Sequence, residues 1–253
     1  MLFVAADFSV WFEALERRHL ETLNFSEVRR AVQSLSSLYV ERRERIDVNS
    51  PFSGAGKRAA FAMYFAPLHF LLVREIVRAL DARIPKGTVI LDLGCGTGAA
   101  SAAWATESAP DAKVIGIDRN TWAIQECKWT YRQLGIQGTV KNANLSRVRI
   151  PSATAVIAAF TMNELSSASR EGFLGEFIRT ARSGAPVLVV EPIARRVASW
   201  WEDWAEKWPK NGGRVDEWRF HVELPDRLAL MDRAAGLDHR ELTGRSLWLP
   251  PFA

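Results

Sequence analysis

Cysteine is nearly absent: Cys95 and Cys127 are the two in 253 residues, and no C-x-x-C pair occurs. Within one chain this excludes a disulfide scaffold and an all-cysteine zinc or iron–sulfur site, and no metal site is expected. Free thiols suit a reducing compartment, so a cytoplasmic protein is expected. Long apolar runs are also lacking. The longest uncharged stretch lies between Arg58 and Arg74, contains Pro67 and His69, and falls short of the ~18–20 apolar residues of a membrane span. The N-terminal Met1-Leu2-Phe3-Val4-Ala5-Ala6-Asp7 lacks the basic region of a signal peptide, and no membrane partner is expected. Internal repeats and biased segments are missing. A large excess of one charge is missing as well: the net charge is +4, most of it from 13 Lys+Arg against 10 Asp+Glu in residues 1–86. That is a weak nucleic-acid signal beside the simpler reading of a solvated helix face.

What is present is apolar material, 48% of the chain, enough for one core with a small cap. Residues 8–46 read as helix from the spacing of Phe12, Leu15, Leu20, Val28, Val32, Leu35 and Leu38. Residues 49–56 read as a loop, and residues 57–82 as a second helix kinked or split at Pro67. From residue 87 strands and helices alternate. The strands are Val89-Ile90-Leu91, Val114-Ile115-Gly116-Ile117, Thr139-Val140-Lys141, Ala155-Val156-Ile157-Ala158-Ala159 and Val187-Leu188-Val189-Val190. That alternation predicts an α/β fold, a mainly parallel sheet with helices on both faces. Residues 1–86 are expected to form a helical cap or substrate region, and residues 87–253 the sheet domain. Residues 194–221 read as an insertion, 225–235 as a helix, and the pieces at 239–242 and 246–249 as a hairpin turning at Gly244.

Between the first strand and its helix stands Asp92-Leu93-Gly94-Cys95-Gly96-Thr97-Gly98. Glycines there allow a tight turn and close approach of a ligand to the backbone. Gly94, Gly96 and Ala99 also satisfy a relaxed dinucleotide fingerprint, so a nicotinamide enzyme is an alternative. Three features separate the two. Asp92 would repel a pyrophosphate but suits the cationic amino group of S-adenosylmethionine (SAM). Asp118, 26 residues on and followed by Arg119, can accept ribose hydroxyls. After the third strand, Asn142 could accept from an adenine amino group, and Ala143 offers its backbone N–H to a ring nitrogen.

These segments resemble the motifs of class I SAM-dependent methyltransferases, whose acidic residue and G-x-G-x-G correspond to Asp92, Gly94, Gly96 and Gly98, and whose second acidic residue corresponds to Asp118. The resemblance covers about residues 87–250 and implies a Rossmann-like sheet, SAM as cofactor, and a cofactor site that includes Cys95, Arg119, Asn142, Ala143 and Phe160. A narrower resemblance is to the ribosomal small-subunit assembly methyltransferase-like family. It rests on Arg58-Ala59-Ala60-Phe61-Ala62, Ala66-Pro67-Leu68-His69-Phe70, Met162-Asn163-Glu164-Leu165 and Val189-Val190-Glu191-Pro192. It implies a ribosomal RNA or ribosome-associated role. The family's C-terminal cysteine cluster is absent, and Ile193 stands where its glycine would.

The acceptor is expected outside the carboxyl ends of the strands, bordered by Phe160-Thr161-Met162-Asn163-Glu164-Leu165. Asn163 and Glu164 are the candidate catalytic residues, Glu164 as base, as orienting group or as cap of the next helix. No Asn/Asp-Pro-Pro-aromatic motif occurs there, which argues against the exocyclic-amine methylases that use it. Neither cysteine stands where a base-attacking nucleophile would. His69 is either a buried core histidine or faces substrate. Trp200, Trp201, Trp204 and Trp208 form a stripe that either packs on the core or offers a stacking surface, with Trp201 the candidate contact. Structured RNA, a small metabolite and a protein all stand as acceptors, and a non-catalytic SAM-binding ribosome assembly factor is the reading from a different class.

Overall fold

A computed structural model describes residues 8–41, 52–109, 111–193, 200–237 and 241–252. Residues 42–46 and 49–51 of the expected first helix and loop lie outside it. The first helical region is two helices, α1 (Phe8–Leu20) and α2 (Phe25–Glu41). The break is chemical. Asn24 Oδ1 accepts from the Glu27 N–H at 3.0 Å and Glu27 Oε2 accepts from the Asn24 N–H at 2.8 Å, a reciprocal cap that starts a new helix. Phe8, Trp11, Phe12 and Leu15 of α1 and Val28, Val32 and Leu35 of α2 are buried at helical spacing.

The next run is continuous through Pro67: α3 (Ala55–Ala60), a π-helical turn (Phe61–Phe65) and α4 (Ala66–Leu80). Proline does not split it because Pro67 lies in the first turn of α4, directly after a widened turn that relieves the clash of its ring with the preceding carbonyl. The run is long and apolar enough to cross a membrane, yet 72% of its most apolar window is buried inside the protein.

The sheet holds β1 (Val89–Leu93), β2 (Lys113–Asp118), β3 (Gln137–Asn142), β4 (Thr154–Ala159), β5 (Val187–Glu191), β6 (Arg214–Phe220) and β7 (Leu242–Leu249). Helices α5 (Ala99–Thr106), α6 (Thr121–Gln133), α7 (Ser167–Arg182), α8 (Trp201–Lys207) and α9 (Asp226–Ala234) complete the chain. The strand order is β3-β2-β1-β4-β5-β7-β6. The first five strands are parallel, and β7 is antiparallel to both of its neighbours. The order reverses between β1 and β4, the switch point at which such sheets leave a crevice beyond their carboxyl ends. Alternate strand residues serve two cores. Ile90, Val114, Ala155 and Leu188 pack with α1 to α6, and Leu91, Val156, Val187 and Leu247 pack with α7 and α8. The N-terminal helices therefore share one buried cluster with one face of the sheet.

Two expectations fail here. The insertion contains a strand, β6, which reads Arg-Val-Asp-Glu-Trp-Arg-Phe and is half-exposed because it is an edge strand. Gly244 is no turn, since β7 runs straight through it. A Cβ there would stand 2.8 Å from Leu72 Cδ2, so the glycine lets α4 pack closely on the strand.

Candidate functional site

The glycine loop leaves β1 at the switch point. The N–H groups of Gly94 and Cys95 both donate to the Ile117 carbonyl, at 2.9 and 3.0 Å, tying the loop to the end of β2. Gly94, Gly96 and Gly98 have φ of 74°, 51° and 82°, the left-handed region that side chains avoid. Their surroundings differ. A Cβ on Gly94 would meet Thr161 Cγ2 at 2.4 Å, and one on Gly98 would meet Cys127 Sγ at 2.7 Å, but one on Gly96 meets nothing within 4 Å. The loop is packed from below and open above its centre. Thr161 fastens it to the segment after β4, its Oγ1 lying 3.3 Å from the Gly94 carbonyl and 3.0 Å from that of Ala159.

Two carboxylates flank this opening. Half-buried Asp118 accepts from the Gly96 N–H at 2.9 Å through Oδ2 and from the Asn120 N–H at 2.8 Å through Oδ1, which leaves lone pairs on both oxygens for a further donor. Asn120 in turn caps α6. Asp92 is buried, and its Oδ2 has no hydrogen-bond partner among the described residues. Burial pushes its pKa up to about 7; Ser101 draws it back down and the Asp118 charge adds to the rise. A buried, unmatched carboxylate oxygen is costly and marks a place for a cationic donor.

Other expected contacts fall out differently. The Ala143 N–H is not available to a ligand, because it donates to the Asp118 carbonyl at 3.0 Å. Asn142 is exposed beside Asp118 in the β2–β3 register, and Arg119 is exposed. The Cys95 side chain packs below the loop, 2.8 Å from where a Gly116 Cβ would be. Contact with the Cys127 thiol, then burial, raises its pKa well above the ordinary thiol value. Cys127 also lies under the loop, beside Gly98. Among the described residues no group of three or more His, Cys, Asp or Glu could hold a metal ion.

On the acceptor side Phe160 follows β4 with φ 58°, an outlier for an aromatic residue of the kind held at functional sites. Its N–H donates to the Val190 carbonyl at 2.8 Å. The half-buried His69 ring from α4 stacks on it, with centroids 3.8 Å apart. Phe61 meets His69 edge-on at 6.2 Å, Phe52 meets Phe61 at 4.9 Å and Trp122 at 5.1 Å, and the Arg58 guanidinium lies 5.8 Å over Trp122. Phe52 and Trp122 had no signal in the sequence reading. Phe61 had one, since 61, 65 and 69 recur at a spacing of four.

Asn163 is held at both ends: its Nδ2 donates to Glu191 Oε2 at 2.5 Å and its Oδ1 accepts from Trp200 Nε1 at 2.8 Å. Glu191 is fully buried and also accepts from the Met162 N–H at 3.0 Å. Glu164 is exposed, and the cap of α7 is Ser166 instead. Trp201 corrects another expectation. It is 3% exposed, in one cluster with Trp204 and Trp208, and the Arg245 guanidinium lies 4.1 Å over its ring. The stripe is core packing, and Trp200 is the member that reaches the loop after β4.

Residues 90–184 match the family model of the methyltransferase domain. That stretch, with its glycine loop and two flanking carboxylates, is a methyltransferase domain of the SAM-dependent kind. The chain is 26% identical over 131 residues to the carboxy-S-adenosyl-L-methionine synthase of Colwellia psychrerythraea, a match covering 51% of this chain and 54% of that protein. It thus spans about half the length of that curated relative. Its fold is similar to a SAM-dependent methyltransferase from Aquifex aeolicus, at TM-score 0.50 and 18% identity over 74% of this chain and 93% of the other. It is also similar to a Nostoc punctiforme protein described as a candidate O-methyltransferase, at TM-score 0.54 and 14% identity over 97% and 73%. The cofactor is SAM, and the residues fit it. The unmatched Asp92 oxygen suits its ammonium group, the remaining lone pairs of Asp118 suit ribose hydroxyls, and the open space above Gly96 admits a ligand against the backbone. When bound, SAM supplies an electrophilic methyl group on a sulfonium.

Proposed function

We propose that this methyltransferase acts on RNA, with a nucleobase as the methyl acceptor. The observation that carries the reading is the row of half-buried rings beyond the strand ends, with Phe160 and His69 stacked and Phe61, Phe52 and Trp122 beside them. Flat aromatic faces are how proteins hold unstacked bases. The segments around Arg58, His69, Asn163 and Glu191 support the same reading through their resemblance to the ribosomal small-subunit assembly methyltransferase-like family, which makes ribosomal RNA the first substrate to try. The two buried free thiols suit the cytoplasm as its location.

The chemistry asks for alignment and exclusion of water rather than a strong base, because the sulfonium is already a good leaving group. Phe160 and His69 would hold the acceptor plane, and the anchored Asn163 would fix the wall beside it. The test is incubation of the protein with methyl-labelled SAM and a cell extract, followed by counting label in the RNA, protein and small-molecule fractions. Label in ribosomal RNA that disappears with Asp92→Ala is the expected result. Label confined to small molecules would replace RNA with a planar metabolite at the same rings.

A further inference from the structure

Positive charge is segregated along the chain in a way the overall balance conceals. Residues 119–149 hold six basic residues, Arg119, Lys128, Arg132, Lys141, Arg147 and Arg149, against one acid, Glu126. The rest of the chain from residue 87 holds 14 Lys+Arg against 18 Asp+Glu. Glu126 neutralises none of the six. It is 1% exposed and is held by His19 at 2.9 Å and Arg18 at 3.3 Å, both from α1. All six basic residues are exposed, and none makes an ion pair among the described residues. Elsewhere several exposed cations are paired, Lys207 with Asp203 and Lys210 with Glu206, each at 2.7 Å, and Arg219 with Glu241 at 3.7 Å. The exposed Arg29, Arg30, Lys86, Lys113 and Arg233, which make no ion pair among the described residues, are scattered over four other segments.

The fold gathers these cations at one edge of the sheet. β3 is the outermost strand there and carries Lys141. Lys128 and Arg132 are one turn apart on α6, the helix that joins β2 to β3. Arg147 and Arg149 lie on the β3–β4 connection, which has a 3-10 turn (Leu145–Arg147) in place of a longer helix. Arg119 follows Asp118 at the end of β2, where the edge meets the cofactor crevice. Clustered cations without acids repel one another in the free protein, and a polyanion relieves that repulsion.

We infer that the β3 edge is a docking face for the phosphate backbone of RNA, leading a strand toward the rings at the crevice. This rests on the RNA reading above. Backbone docking is sequence-independent and positions the substrate, while the rings select the base.

The test uses a fluorescently labelled RNA hairpin and the full chain, with anisotropy measured across about 50–200 mM salt. The variants are the charge reversal K128E/R132E/R147E/R149E and the milder K128Q/R132Q/R147Q/R149Q, with binding of S-adenosylhomocysteine as the control for folding. Each phosphate contact contributes about −0.7 to −0.9 to the slope of log affinity against log salt. The reversal should flatten that slope by about three and weaken binding by about a hundredfold or more at low salt. The glutamine variant should fall between it and the wild type, and cofactor binding should not change. Equal RNA affinity in wild type and both variants overturns the inference, as does wild-type binding that ignores salt or yields equally to polyglutamate. RNA that binds through this face but takes no methyl group overturns the acceptor reading and leaves the face standing. RNA methylated equally well by the reversal variant does the opposite.

Discussion

His69 and Phe160 come from a helix and a strand end 91 residues apart and lie face to face, centroids 3.8 Å apart and planes 19° apart. The pair joins the N-terminal helices to the switch point of the sheet, and Phe160 keeps its place with a left-handed backbone, φ 58°. Strain of that kind costs about 1–3 kcal/mol. Phe160→Gly relieves it, so thermal melting should be unchanged or slightly higher while methyl transfer falls by tenfold or more, about 1.4 kcal/mol. His69→Phe keeps a stacking ring and should retain most of the activity that His69→Ala loses, with cofactor affinity unchanged in both. A His69→Phe enzyme as dead as His69→Ala would show that the imidazole does more than stack.

The Asp92 carboxyl is held near pH 7 by burial, and it pairs with an ammonium group only when ionised. Cofactor affinity should therefore rise with pH, by about tenfold per unit below 7, and level off above. Titration calorimetry of S-adenosylhomocysteine across that range checks it, and Asp92→Asn should bind weakly with no such slope. The effect on folding has the opposite sign. The folded-state pKa is raised above its ordinary value of 3.8, so this group's contribution to stability is greatest below about pH 4. It is lost as pH rises to about 7 and is constant above.

Two glycines of the same loop should fail in different ways. Gly96 has open space where a Cβ would go, and Gly94 has Thr161 at 2.4 Å. Gly96→Ala should melt within about 3 °C of wild type yet lose cofactor binding, whereas Gly94→Ala should melt about 5 °C lower or more. Equal melting temperatures would mean that Thr161 moves aside freely.

Gly244→Ala should cost about 1–3 kcal/mol through the clash with Leu72. Leu72→Val removes the nearest atom, so the two substitutions should be less harmful together than their sum. A double-mutant cycle from denaturant melts measures that coupling, and strict additivity would contradict the close packing of α4 on β7.

The cofactor half of the site was legible because its signals are local: Asp92, Gly94, Gly96, Gly98 and Asp118 sit at strand ends that the apolar runs reveal. What stayed hidden depends on contacts between distant segments. Gly244 reads as a turn until Leu72 is placed against it. The Ala143 N–H looks free until the end of β2 is seen to take it. Trp200 and Trp201 share one stripe, and only packing decides which ring is buried under Arg245 and which reaches Asn163. β6 escaped because Arg214, Glu217 and Arg219 on an exposed edge dilute its alternation. The aromatic row draws Phe52, Trp122 and Phe160 from three segments with no common pattern. The charge of residues 119–149 was written in the sequence, but it gains meaning only when α6, β3 and the following connection meet at one edge.

Titration calorimetry with S-adenosylhomocysteine at about pH 8, above the titration of Asp92, decides whether SAM binds between Asp92 and Asp118 over Gly96. One site per chain in the wild type, with binding lost in Asp118→Ala and Gly96→Ala variants that still melt cooperatively, is the result expected. No heat of binding in the wild type, or equal affinity in all three proteins, would contradict it.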